Sequence, residues 1–134
     1  EIRVKGAKAE DSPWRLAIDA PDADSERGTA IQFSLTDNAL ATSGNYRHYI
    51  ESEGKRYGHI IDPRTGWPSD TDILSASVIA PDCMTADALA TAIMVSGSEF
   101  GKELITNNSD LEGVIITGEE GKTETWVSEG IKTD

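Results

Sequence analysis

The apolar residues of this chain fall into short alternating runs separated by polar, glycine- or proline-bearing breaks, with one long stretch of helical period. Trp14, Leu16 and Ile18 alternate with Arg15, Ala17 and Asp19, and Ile31, Phe33 and Leu35 share one side of a second run. Trp14–Asp19 and Ala30–Leu35 are therefore predicted strands on either side of a polar loop, 21–28. Val4–Gly6 reads as a strand end entering a turn, and Ala39–Ser43 as a further short strand. Tyr46–Glu51 and Lys55–Ile61 flank Ser52-Glu53-Gly54, a hairpin with glycine at its turn. Two prolines and a glycine make Asp62–Pro68 a stiff loop.

Ile73–Ala80 is the next strand. Thr85–Ser96 is a helix, apolar nearly all round and so predicted to be buried, and Glu99–Thr106 is a second helix. Leu111–Thr117 and Thr123–Val127 close the chain as a hairpin around Glu119-Glu120-Gly121. Trp14 and Trp126 are expected in the core, with Cys83 and Met84 as packing residues. Strands, then helices, then strands predict an α+β fold, a mostly antiparallel sheet packed against one or two helices.

At 134 residues the chain is sized for a single domain, 1–134. It has no apolar run near the ~20 residues that cross a bilayer. It opens Glu1-Ile2-Arg3-Val4 without an initiator methionine or hydrophobic leader, as expected of a mature or excised polypeptide. The one cysteine, Cys83, excludes an internal disulfide and a cysteine-based zinc site. Twelve Lys and Arg against 24 Asp and Glu give a net charge of −12. That balance argues against nucleic acid and anionic membrane surfaces, both of which demand a cationic patch. A phosphorylated ligand would need a helix N-terminus, a local Lys or Arg, or a divalent cation.

Three places hold chemistry. In the predicted helix only Asp87 and Thr91 interrupt the apolar sequence, and at i, i+4 they share a face. Thr85 could cap the helix while Asp87 complements its dipole. Alternatively, one carboxylate and one hydroxyl could hold Mg²⁺, which takes few protein ligands beside phosphate and water. His59 ends a strand just before the rigid loop, placed either for structure or as a general base or phosphate donor. Asp62 before Pro63 suits an Asx turn with Arg64 as its neighbour. Thr42-Ser43-Gly44 is either a tight turn or a close backbone approach to a ligand. His48 lacks a surrounding motif and reads as surface.

Together, Ala41-Thr42-Ser43-Gly44-Asn45-Tyr46, the stretch from Lys55 through Gly58-His59-Ile60-Ile61-Asp62-Pro63-Arg64-Thr65-Gly66 to Pro68, and Ala80-Pro81-Asp82-Cys83-Met84-Thr85-Ala86-Asp87-Ala88-Leu89-Ala90-Thr91-Ala92 resemble the ApbE family of FAD:protein FMN transferases. The resemblance implies an ApbE-type fold and an enzyme that splits the pyrophosphate of FAD with Mg²⁺. Such an enzyme joins FMN to a threonine or serine hydroxyl of a redox protein and releases AMP. It implies Asp87 and Thr91 as the Mg²⁺-binding side chains and His59 as the residue near the pyrophosphate that activates the acceptor hydroxyl. Ser43, Gly44 and Tyr46 would line the flavin-nucleotide site with His59, and Asp62, Pro63, Arg64 and Gly66 would shape it.

Family members are considerably longer, so the resemblance makes this chain a C-terminal portion. The N-terminal part would supply aromatic contacts to the flavin, a lysine- and glycine-bearing segment and a carbonyl ligand to Mg²⁺. The whole protein would be a lipoprotein of the bacterial cell envelope or periplasm, and this chain alone would hold half a site. Two other readings stay open: an FAD pyrophosphatase with the same metal, and a non-catalytic acidic module that keeps the fold for interaction.

Overall fold

Strands that carry apolar side chains on both faces need cover on both sides, and the central sheet of this chain has it. The computed structural model describes residues 1–10, 12–21, 28–46, 49–119 and 122–133, with the backbone alone at 55 and 56. His48, the middle of the loop 21–28, and residues 120–121 of the last turn lie outside the described residues. The elements run β1 (Ile2–Arg3), β2 (Trp14–Asp19), β3 (Thr29–Leu35), β4 (Ala39–Gly44), β5 (Tyr49–Ser52), β6 (Lys55–Gly58), β7 (Ile61–Asp62), β8 (Trp67–Pro68) and β9 (Ile73–Ala80). Then follow α1 (Cys83–Ser96), α2 (Ser98–Thr106), β10 (Glu112–Glu119) and β11 (Lys122–Val127). The fold is α+β.

Five strands form the main sheet in the order β1-β4-β9-β10-β11, each pair antiparallel. Alternation divides its side chains between two cores. On one side Ala39 and Ala41 of β4, Ala76, Val78 and Ala80 of β9 and Ile115 of β10 meet Ala86, Ala90, Ile93 and Met94 of α1 and Ile105 of α2. On the other side Leu40, Ile79, Val114 and Ile116 meet Ile18, Ile31, Phe33 and Leu35 of the β2–β3 hairpin. Helices, sheet and hairpin thus make three layers. Alanines at the α1–sheet contact, all buried, let the helix sit close to β4 and β9.

The helix is buried on one side only. Ala86, Ala90, Ile93 and Met94 are covered, whereas Met84, Asp87, Ala88, Thr91 and Ala92 are exposed. The nearly uniform apolar pattern overstates its burial, because alanine offers little area to hide. Nor is Thr85 the cap. Asp82 is, accepting from the Thr85 backbone N–H at 2.8 Å and from the Thr85 hydroxyl at 2.9 Å. Asp87 therefore lies beyond the first turn, which holds no acidic residue. Met84 is 80% exposed rather than packed, and Trp14 sits at the rim of the β2–β3 hairpin, its indole N–H reaching the carbonyl of Lys5. Trp126 is half-buried against the helix-side core.

The loop expected at 62–68 is a four-residue turn closed by the short β7–β8 pair. The Asp62 carboxylate accepts the Arg64 backbone N–H at 2.9 Å, which is the Asx geometry, and also grips the Arg64 guanidinium at 2.8 Å. At the α1–α2 junction Gly97 adopts φ 95°, a conformation that favours glycine. Having no side chain to cap α2, it leaves that task to Asp72, whose carboxylate accepts the backbone N–H and hydroxyl of Ser98.

Among the described residues three carboxylates are held below their ordinary value of 3.8. Hydrogen bonds from the Arg64 side chain do this to Asp62, and the Thr85 N–H and hydroxyl do it to Asp82. At Asp72 burial pushes upward, but the bonds from Ser98, its own backbone N–H and the Lys102 charge together outweigh it. A carboxylate whose folded value is depressed contributes stability above its unfolded value and loses it as pH falls through the folded one. Thermal stability should therefore be flat down to about pH 4 on account of these groups and decline below it. Melting curves of Asp72→Ala and Asp82→Ala should begin lower and fall less steeply over that acid range. A decline as steep as in the unmodified protein would exclude these contacts as its cause.

Candidate functional site

At the end of β4, past the last alanine that packs beneath α1, the sheet carries Ser43 and Gly44. Strand alternation turns Ser43 to the same side as Ala39 and Ala41, toward the helix. Its Oγ lies 3.0 Å from the Oγ1 of Thr91. Asp87 stands one turn before Thr91 on the same exposed face. Both side chains border a cavity of about 730 Å³.

That cavity brings together Ser43, Gly44, Tyr46, His59, Asp87 and Thr91, whereas Asp62, Pro63, Arg64 and Gly66, expected to shape the site, are not in its lining. His59 comes from the bend directly after β6, between Gly58 and the buried Ile60. Gly58 is needed there because the side chain of Asn45 lies over it, where a Cβ would go. Gly44 plays the same part for Tyr46. A Cβ at Gly44 would come within 2.9 Å of the tyrosine ring, so only glycine lets the ring fold back onto the strand. The Thr42-Ser43-Gly44 run is thus no tight turn but the end of a strand.

The rest of the lining lies mostly outside the sequence motifs. Ile18 and Asp19 of β2 and Leu40 and Thr42 of β4 line the cavity too. Thr42 belongs to the same hydroxyl run as Ser43, and its Oγ1 meets Ser77 Oγ at 2.7 Å across the β4–β9 pair. For Asp19 no local signal exists, since only the packing of the β2–β3 hairpin brings it there.

Charge sets what this cavity can take. Its described lining includes Glu1, Asp19 and Asp87 but neither lysine nor arginine. An anionic ligand would enter against that field unless a cation came with it. Among the described residues no cluster of three or more His, Cys, Asp or Glu side chains could hold a metal by itself. Asp87, Thr91 and Ser43 supply one carboxylate and hydroxyls, an all-oxygen set that leaves most of a coordination shell open. Such a set fits Mg²⁺ held jointly with phosphate oxygens and water, and does not fit a softer metal. Asp87 needs no buried counter-charge, since it is exposed to the cavity rather than sealed in the core.

Known proteins are similar to this chain in sequence and in fold. Residues 1–115 match the model of the ApbE family. The chain is 43% identical over 124 residues to a Vibrio cholerae protein named FAD:protein FMN transferase, covering 92% of this chain and 37% of that one. It is 39% identical over 132 residues to the Escherichia coli K12 protein of that name, covering 98% and 37%. Among solved structures, the flavin transferase ApbE from Vibrio cholerae superposes with a TM-score of 0.77 at 37% identity, over 95% of this chain and 39% of that one. The ApbE protein of Thermotoga maritima gives 0.72 at 34% identity, over 87% and 36%. The chain thus spans somewhat over a third of the length of the relatives it matches.

Proposed function

The chain belongs to the ApbE family, and from that footing we propose that it forms part of an enzyme transferring FMN from FAD to a hydroxyl of a target redox protein. The observation that carries the reading is the cavity shared by His59, Asp87, Thr91, Ser43, Gly44 and Tyr46, acidic and without Lys or Arg in its described lining. FAD is a diphosphate, and a cation would offset the acidic lining that it meets.

Asp87 and Thr91 would hold Mg²⁺, which when bound screens the diphosphate charge and stabilises the charge growing on the departing phosphate. The chain's own residues perform the rest. Tyr46, folded onto Gly44, offers a flat wall to the nucleotide. His59 as a neutral imidazole takes the proton from the acceptor threonine or serine hydroxyl as its oxygen bonds to the FMN phosphorus. The bond from that phosphorus to the bridging oxygen breaks, and AMP leaves with the electron pair. The products are a phosphoester-linked FMN and AMP.

The test uses the full-length protein, FAD, Mg²⁺ and an acceptor carrying a threonine in an accessible loop. The expected result is a mass increase of one FMN on the acceptor together with stoichiometric AMP, both lost on chelation with EDTA. AMP and free FMN in equal amounts, with an unmodified acceptor, would replace transfer by hydrolysis. No AMP at all would overturn the reading.

A further inference from the structure

The segment between His59 and β9 is bonded at Ile60, beside His59, and to the end of α1, the helix that carries Asp87 and Thr91. Ile60, next to His59, accepts the backbone N–H of Ser69 at 2.8 Å, which ties the start of the segment to its end. From there the segment reaches the last turn of α1. The hydroxyl of Thr71 donates to the carbonyl of Met94 at 2.9 Å, and Ser69 Oγ lies 3.5 Å from the same oxygen. Arg64 Nη2 donates to the carbonyl of Val95 at 3.2 Å while Asp62 holds its guanidinium from the other side.

A helix leaves its last carbonyls unpaired. Here α1 has no basic residue in its last turn, and Gly97 N–H returns to Ile93. The carbonyls of Met94 and Val95 are instead satisfied by a remote loop, and a guanidinium there also complements the negative end of the helix dipole. The loop is stiff, because Pro63 and Pro68 restrict it, Asp62 O accepts the N–H of Gly66 at 2.8 Å, and β7–β8 closes it.

We propose that Arg64 and Thr71 are positioning residues that fix α1 along its axis relative to His59. They hold Asp87 and Thr91 at the correct station for the transfer reaction. This rests on the function proposed above. Neither residue lines the cavity or touches the site. They act through the helix, whose rigid turns carry a displacement at Val95 to Thr91, one turn away. A misplacement of about 1 Å at reacting groups costs on the order of 10²-fold in rate, so a partial loosening should read as a smaller loss.

The experiment compares full-length wild type, Thr71→Val, Thr71→Ser and Arg64→Ala/Thr71→Val. Thr71→Val removes the donor at nearly constant shape, and Thr71→Ser restores it. Three readouts are taken well below the melting temperature: kcat for FMN transfer, the affinity for Mn²⁺ alone, and hydrogen exchange of metal-free protein over the α1 peptide. The double variant should lose roughly tenfold or more in kcat, and Thr71→Val a smaller part. Mn²⁺ affinity should stay within about twofold, because Asp87 and Thr91 keep their spacing on one helix. Exchange in the last turn of α1 should quicken in Thr71→Val and return to normal in Thr71→Ser.

A lower melting temperature with unchanged kcat in Thr71→Val and the double variant would overturn the proposal in favour of simple stabilisation. So would an equal loss in Thr71→Ser and Thr71→Val. Should the double variant fail to fold, Thr71→Val against Thr71→Ser decides alone. A folded wild type without transfer activity would instead refute the functional reading, and this proposal with it.

Discussion

Asp87→Ala in the full-length protein is expected to abolish FMN transfer. Asp87 is the anionic member of the proposed metal pair, and Thr91 alone offers only a neutral hydroxyl. Without the cation, the acidic lining at Glu1 and Asp19 would repel an incoming diphosphate. Because Asp87 is exposed and outside the Asp82 cap, its loss should leave the melting temperature nearly unchanged. Binding of Mn²⁺ should vanish together with activity, and Asp87→Asn, which keeps shape but not charge, should behave the same way. Transfer surviving within tenfold in either variant would remove Asp87 from the metal role.

His59→Ala should separate proton transfer from metal binding. A positioned general base contributes typically ~10²–10⁴-fold, and kcat should drop by that range while Mn²⁺ affinity is spared. The bend after β6 keeps its shape without the imidazole, because Gly58 beneath Asn45 and the buried Ile60 define it. A loss below about fivefold would leave His59 as a wall of the cavity rather than a base. Parallel losses of rate and Mn²⁺ affinity would make it a ligand.

Strands whose alternation depends on large apolar residues are legible in the sequence alone. Trp14–Asp19 has the predicted bounds because Leu16 and Ile18 commit to one face, and Ile73–Ala80, covered on both faces, because its apolar run lies between polar and proline breaks. Where alanine carries the pattern, legibility fails. Ala88 and Ala92 look like Ala86 and Ala90 in the sequence, yet the first pair is exposed and the second buried. The start of α1 is ambiguous for a related reason. Asp82 and Thr85 are both good caps, and only the geometry shows the threonine hydroxyl serving the aspartate.

Strand order is out of reach as well. The neighbours β1, β4 and β9 are joined by contacts far apart in sequence, and local periodicity carries no trace of such pairing. In the site, His59 and Asp87 are far apart along the chain, and no spacing rule links them. The family motifs name the group, and the cavity shows its members side by side. Asp19 escapes both routes, since it lies in no motif and reaches the cavity only through hairpin packing.

The alanine floor beneath α1 makes the aperture of the cleft a heritable quantity with a direction. Ala41, Ala76, Ala86 and Ala90 are already about as small as side chains become, so every substitution there other than glycine adds bulk. Added bulk lifts the helix from β4 and opens the gap that Thr91 and Ser43 now close at 3.0 Å. The molecule stands near the tight end of its range, and drift at these hidden positions is biased toward a looser grip. Lineages that come to use a bulkier ligand could reach it from under the helix, with every residue that meets the ligand left as it is.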